Sequence, residues 1–337
     1  MTDAETTVRV RIASYVLAAV ALLLILKLHL LPGLLAGLLV YALVDSLAPA
    51  VQRRIPGTHA HWLIVALLSA VVVSALTFAI IWAISFLQSD RGNPSKMFEN
   101  LMPLIERARG QLPQVVVDHL PDSIDDFRAT AIEWLREHAA QLQVAGKAAA
   151  RVTVHLLIGM VLGAMVALAS ARPLRRHAPL VDALVNRCLH LVRAFRDIVF
   201  AQVKISAVNT VLTAIYLLIV LPLLGIHLPL AKTLVVATFV AGLLPVVGNL
   251  ISNTLIFVVG MSVSLGVAMS ALIYLILIHK LEYFLNARIV GTQIRARAWE
   301  LLIAMLFMEA AFGAGGLIAA PIYYAYLKRE LAQAKLI

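Results

Sequence analysis

The chain has 337 residues, 62% of them hydrophobic, with a formal net charge of +10 and a mean hydropathy of +0.93. A membrane helix needs about 20 predominantly apolar residues, and charge-free runs of that length or more recur here, which excludes an ordinary soluble domain. Those runs lack the apolar–polar alternation of a membrane β-barrel, and a single cysteine, Cys188, excludes an intrachain disulfide and a cysteine metal cluster.

Taken in order, the first element is an apolar run, Ile12 to Leu26, behind Arg9 and Arg11. No small-residue cleavage site follows it, so it reads as a retained span with its N-terminus inside. A tight turn, "KLHLLPG", leads to a return span, Leu34 to Ala50, and to the short basic loop "VQRRIPGTHAH". Trp62 to Ser89 then crosses with no charge in 28 residues. Residues 1–89 therefore form a set of N-terminal spans.

Residues 90–151 are different, with eight Lys/Arg against nine Asp/Glu. Met97, Leu101, Leu104 and Ile105, then Ile124, Phe127, Ile132 and Leu135, recur at helical spacing. Ser123 with Asp126 resembles a capping box. The segment reads as an extracytoplasmic amphipathic helical insert. Residues 152–171 return through the membrane. Residues 172–204 carry seven Lys/Arg against two acids, with Leu180, Leu184, Cys188, Leu191 and Ile198 on one face. That is a basic cytoplasmic helix, either snorkelling at the interface or contacting a subunit or an anionic head group.

Residues 205–337 form the expected transport core. Ile205 to Leu224 spans outward. The next charge-free stretch, Thr233 to Ile278, has 46 residues. It would be about 69 Å long as one helix, so it breaks, at "PVVGN" or "GMSVSLG". Two full spans would leave the basic segment Lys280 to Arg297 outside, against the positive-inside rule. A re-entrant turn over Lys232 to Met261, followed by one span from Gly266 to Phe284, keeps that segment inside. The last run, Leu301 to Tyr326, has basic flanks on both sides and weak centres at "GAGG" and Pro321, and reads as a second hairpin. The fold class is an all-α polytopic membrane protein of nominally eight apolar segments, two of them broken or re-entrant, plus the insert. Irregular backbone at membrane depth is tolerated only where protein or a water-filled cavity surrounds it, a design used by secondary transporters.

Acids inside apolar runs are costly and mark function by default. Asp45 lies near the end of its span, where pairing with arginine is the plainer reading. Glu309 sits four residues before Gly313, beside a break that frees backbone carbonyls. It suits a cation or proton site, or a protonated glutamate bonded within a helix interface. Uncharged polar residues gather at the breaks: Asn249, Ser252 and Asn253 at one, with Gln202 and Asn209 at the start of the fifth span. No Walker motif, GxSxG or HExxH is present, and the ten histidines lack ligand spacing. No enzyme activity, cofactor or metal is expected. The basic excess matches cytoplasmic loops, with no nucleic-acid motif.

Four motifs stand in order in the C-terminal half. Gln202 is the second residue of "AQVKISAVNTVLTAIYLLIVLPLLGI", with Gly225 in its "LGI". Pro245 and Gly248 form a P-x-x-G break. Glu282 and Gly291 stand in "KLEYFLNARIVGTQI", and Gly313, Gly316, Ala319 and Pro321 in "FGAGGLIAAP". In this order and spacing the chain resembles the autoinducer-2 exporter family, the PerM-like permeases. Ala201, Ala287 and Ala298 depart from the family pattern, and Glu309 is not carried over from it. The resemblance implies a bacterial inner-membrane permease, and the flanking basic residues put both termini in the cytoplasm. It implies export of a small polar solute such as autoinducer-2, or exchange of sodium or lithium for protons, and self-association, with a pentamer as one form. The alternatives are an oligomeric channel or a non-transporting scaffold. The candidate path residues are Gln202, Asn209, Pro245, Gly248, Asn249, Asn253, Glu282, Glu309, Gly313, Gly316 and Pro321, with the lipid bilayer as constant partner.

Overall fold

The structure is a computed structural model that describes residues 3–53, 59–88, 129, 132–134, 136–170, 178–243, 247–294 and 297–336. Among these, every regular element is helical: α1 (Asp3–Lys27), α2 (Leu31–Gln52), α3 (His59–Gln88), α4 (Ala139–Ser170), α5 (Pro179–Leu223), α6 (Ala231–Gly242), α7 (Val247–Met261), α8 (Leu265–Ile294) and α9 (Ala298–Gln333). By length and composition alone five helices qualify to cross a bilayer: α1 from Val8, α2, α4, α5 and, although it is folded in two at Gly313, α9 from Trp299. The protein is thus an all-α polytopic membrane protein. Its surface carries Phe78, Leu67, Leu223 and Phe307 exposed, as lipid-facing helices require.

Local chemistry sets the ends. His29 takes a positive φ in the α1–α2 turn, and Pro32 sits in the first turn of α2, where its missing N–H costs no bond. Gly225 and Leu230 both take positive φ where the chain turns from α5 to α6. α5 runs through Lys204 without a break and contains a π-helical segment, Tyr216–Val220, just before Pro222. Proline has no amide hydrogen to donate to the turn before it, and the helix widens there. α4 likewise runs through Arg151. Most of the expected insert, including Met97 to Phe127, lies outside the described residues; at its end the His138 ring stacks on Trp134.

The chain divides into two compact units, one comprising Met1–Val72, Lys147–Ala201 and Ala287–Ile337, the other Val73–Gly146 and Gln202–Asn286. In the first unit, Leu38 and Ala42 of α2 pack with Leu191, Ala194, Phe195 and Ile198 of α5 and with Ile322, Ala325 and Tyr326 of α9. α2 and α4 meet through glycines. A Cβ on Gly37 would lie 2.9 Å from the Gly159 carbonyl oxygen, and Cβ atoms on Gly159 and Gly163 would overlap the α2 backbone. This is small-xxx-small packing, in which backbones rather than side chains touch. In the second unit, Tyr216, Leu217 and Leu221 of α5 form a core with Leu234 of α6, Ile256 of α7 and Val267, Ala271 and Leu275 of α8.

α9 is one helix by hydrogen bonding but two arms in space. Gly313, at φ 62 and ψ −147, is non-helical. Across this break Glu300 receives hydrogen bonds from Tyr324 Oη at 2.5 Å and Lys328 Nζ at 2.7 Å. A straight helix would hold residues 300 and 324 about 36 Å apart, so the arms, 298–312 and 314–333, fold back antiparallel. A Cβ on Gly316 would overlap the Met308 carbonyl, which shows how close they run. The hairpin expected at "GAGG" is present. The second weak centre, at Pro321, is no break, since the helix continues through this buried proline.

Candidate functional site

The second unit holds a polar stripe on an otherwise apolar helix. Gln202, Ser206, Asn209, Thr213 and Tyr216 follow one another on α5 at steps of four and three residues. That spacing keeps them on one face. Ser206, Asn209, Thr213 and Tyr216 are buried, and the stripe is about 21 Å long at helical rise.

What it faces explains most of it. α6 stops at Gly242 and α7 begins at Val247, so the pair is a helical hairpin. A Cβ on Gly248 would overlap the Ala241 carbonyl, so the two helices touch at the turn. The last carbonyls of α6 have no helical donor ahead of them. Ser206 Oγ donates to Phe239 O at 2.7 Å, and Gln202 Nε2 donates to Gly242 O at 2.7 Å. One step on, Asn209 Nδ2 donates to Asn249 Oδ1 at 3.0 Å, and Ser252 Oγ bonds Asn249 O at 3.2 Å. Gly242 permits the approach, for a Cβ there would come within 2.6 Å of Ser206 Oγ. α5 therefore supplies caps for the carbonyls at the end of α6.

Two hydroxyls are left over. Thr210 Oγ1 and Thr213 Oγ1 are buried with no hydrogen-bond partner, and Thr213 is 0% exposed. Toward the other end of the stripe, Tyr216 stacks on Tyr274 with ring centroids 4.1 Å apart. Its hydroxyl meets Ser270 Oγ at 2.9 Å, and Tyr274 Oη donates to Leu212 O at 3.0 Å. These rings and Ser264, Ser270 and Gly266 line an open groove of about 590 Å³ with aliphatic walls and no charged residue. The π segment that begins at Tyr216 is a feature that often accompanies functional sites.

The residues singled out from sequence fall as follows. Gln202, Asn209, Gly248 and Asn249 come together at the α6–α7 hairpin. Asn253 lies one turn further along α7, half-buried. Pro245 lies outside the described residues, and Glu282 is on α8 with its side chain outside them. Gly313 and Gly316 form the turn of α9, with Pro321 buried in its second arm. Glu309 is on the first arm, exposed on a face with Leu302, Leu306 and Phe307. Asp45 meets Arg196 at 3.9 Å, the arginine-paired alternative. Sequence reasoning passed over Ser206, Thr213, Tyr216, Ser270 and Tyr274. The four-three spacing of polar residues in "QVKISAVNTVLTAIY" was the signal for the first three.

The first unit adds charged locks within itself. Buried Glu330 pairs with Arg187 and receives His190 Nδ1 at 3.1 Å. Arg329 pairs with Asp197. These ties fix the second arm of α9 to α5. The described residues hold no group of His, Cys, Asp or Glu that could bind a metal ion.

No solved structure matches this chain. A stretch of 128 residues is 31% identical to a Bacillus subtilis (strain 168) protein named "Putative transport protein YdbI". The stretch covers 37% of this chain and 35% of that relative, so the match spans about a third of the relative's length. Residues 12–335 match the AI-2E family transporter family, and the chain belongs to that family of membrane transport permeases.

Proposed function

We propose that this transporter is a secondary permease of the bacterial inner membrane. It exports a small polar solute of the autoinducer-2 type or exchanges a monovalent cation for protons. The observation that carries this reading is the buried stripe Gln202–Ser206–Asn209–Thr213–Tyr216 against the α6–α7 break. A stripe needed only to cap α6 would end at Ser206. Instead it continues past Asn209 to Thr213, whose buried hydroxyl, like that of neighbouring Thr210, has no protein partner, which is hydrogen-bonding capacity for a solute or a file of water. The uncharged groove at Tyr216 and Tyr274 favours a neutral polar solute at this end.

Each hairpin has at least one arm too short to span: α6 has 12 residues and α7 15. The first arm of α9, 298–312, is about 22 Å long against a hydrocarbon core of about 30 Å. Re-entrant insertion of each hairpin, with cytoplasmic termini and the basic segment Lys280 to Arg297 inside, belongs to the same reading, as does self-association. Glu309 is the proposed coupling carboxylate for the cation branch.

The test is transport in proteoliposomes with an internal pH dye, under imposed sodium, lithium and proton gradients, for wild type and Glu309→Gln. Cation-driven proton movement in wild type that Glu309→Gln abolishes establishes antiport. No proton movement in either protein eliminates the cation branch and leaves saturable export of a neutral solute. Flux that never saturates makes the protein a channel.

A further inference from the structure

In the first unit, an elongated groove of about 700 Å³ lies between α1 and the second arm of α9. Its two ends differ. One is wholly apolar, at Leu26 and Met308; the other holds Arg11 and Glu330. The helices run antiparallel along it, since Tyr323 Oη bonds Leu22 O at 3.2 Å and Leu26 packs on Ala319. From Arg11 to Leu26 the groove is about 22 Å long, deeper than one leaflet's half of a hydrocarbon core of about 30 Å.

We propose that this groove seats one acyl chain of an anionic phospholipid, with its phosphate at Arg11. Charge complementarity selects that occupant. Glu330 is already neutralised by Arg187 and faces His190, so it offers no free carboxylate to repel a phosphate. Arg187 in turn lies 4.2 Å over the ring of Tyr15, a residue of the groove wall, and its buried Nε–H has no partner. Arg11 is exposed and forms no ion pair among the described residues. Among the described residues the polar end thus carries net positive charge, on the flank where Arg9 and Arg11 are expected to place the cytoplasmic leaflet. Between its ends the groove is walled mainly by aliphatic side chains (Ala19, Leu22, Leu23, Leu327) and tyrosine rings, surfaces an acyl chain can pack against.

The test uses the full chain in nanodiscs doped with phosphatidylglycerol or phosphatidylcholine, each bearing a diazirine near the acyl terminus. Labelled peptides are located by mass spectrometry. Wild type is expected to label at Leu22 to Leu26 and at Met308, about fivefold more with phosphatidylglycerol, the discrimination of one arginine near a charged head group. Arg11→Gln removes that preference and leaves equal, weaker labelling. Ala19→Trp, which fills the groove, removes labelling by both lipids. Equal labelling by the two lipids in wild type overturns the assignment, as does a preference that survives Arg11→Gln. If Ala19→Trp changes the subunit number and not the labelling, the groove is an interface between copies and the lipid proposal fails.

Discussion

Thr213 is the side chain whose chemistry separates structure from transport most sharply. Its neighbours on the stripe each satisfy a partner: Ser206 and Gln202 hold carbonyls of α6, and Asn209 holds Asn249. Its own hydroxyl is buried and unpaired, and leaving such a group unsatisfied costs about 1–3 kcal/mol. Thr213→Val is therefore expected to keep or raise the melting temperature while lowering the transport rate. Asn209→Leu should lower stability by about 1 kcal/mol, because it removes the hydrogen bond that Asn209 donates to Asn249 Oδ1. Thermal unfolding in detergent checks both. A fall in stability with Thr213→Val would mean that the hydroxyl serves the fold and not a solute.

Among the elements, the α9 hairpin depends on one backbone position. Gly313 has φ 62 and ψ −147, a region essentially closed to residues with a Cβ. Open space surrounds both Gly313 and Gly315, so sterics against neighbours do not distinguish them; only the dihedral does. Gly313→Ala is expected to cost about 1–3 kcal/mol and to loosen the Glu300–Tyr324 clasp, whereas Gly315→Ala is close to neutral. Trapping by a flexible bifunctional maleimide between cysteines placed at 300 and 324, in a Cys188→Ser background, reads the difference. Equal trapping in both variants would show that the turn tolerates a side chain. The α2–α4 contact is a second element-level device, and its GLLAG and GMVLG repeats were visible in the chain. Their meaning was not, because glycine pairs at four-residue spacing name a close approach without naming the partner helix.

For the whole molecule the open quantity is orientation, which charge alone argues. Both ends and the segment Lys280 to Arg297 are expected on the cytoplasmic side. Single cysteines introduced between 280 and 297, again without the exposed Cys188, should react with a membrane-impermeant maleimide only in inverted vesicles. Labelling in intact spheroplasts would require Lys232 to Met261 to cross fully and would remove the re-entrant reading of α6–α7.

Hydropathy, charge runs and ordered glycine and proline motifs were enough to establish a polytopic helical membrane protein and to place helix breaks at the α6–α7 and Gly313 turns. These are one-dimensional quantities: a bilayer filters segments by length and polarity, and a break needs only a residue that cannot continue a helix. Pro321 shows the limit, since the helix runs on through this buried proline. What caps a break is a long-range matter. Ser206 meets Phe239 and Gln202 meets Gly242 across 33 and 40 residues, and Arg187 meets Glu330 across 143. Only folding decides such pairs, because a buried polar group accepts whichever partner the packing brings within reach.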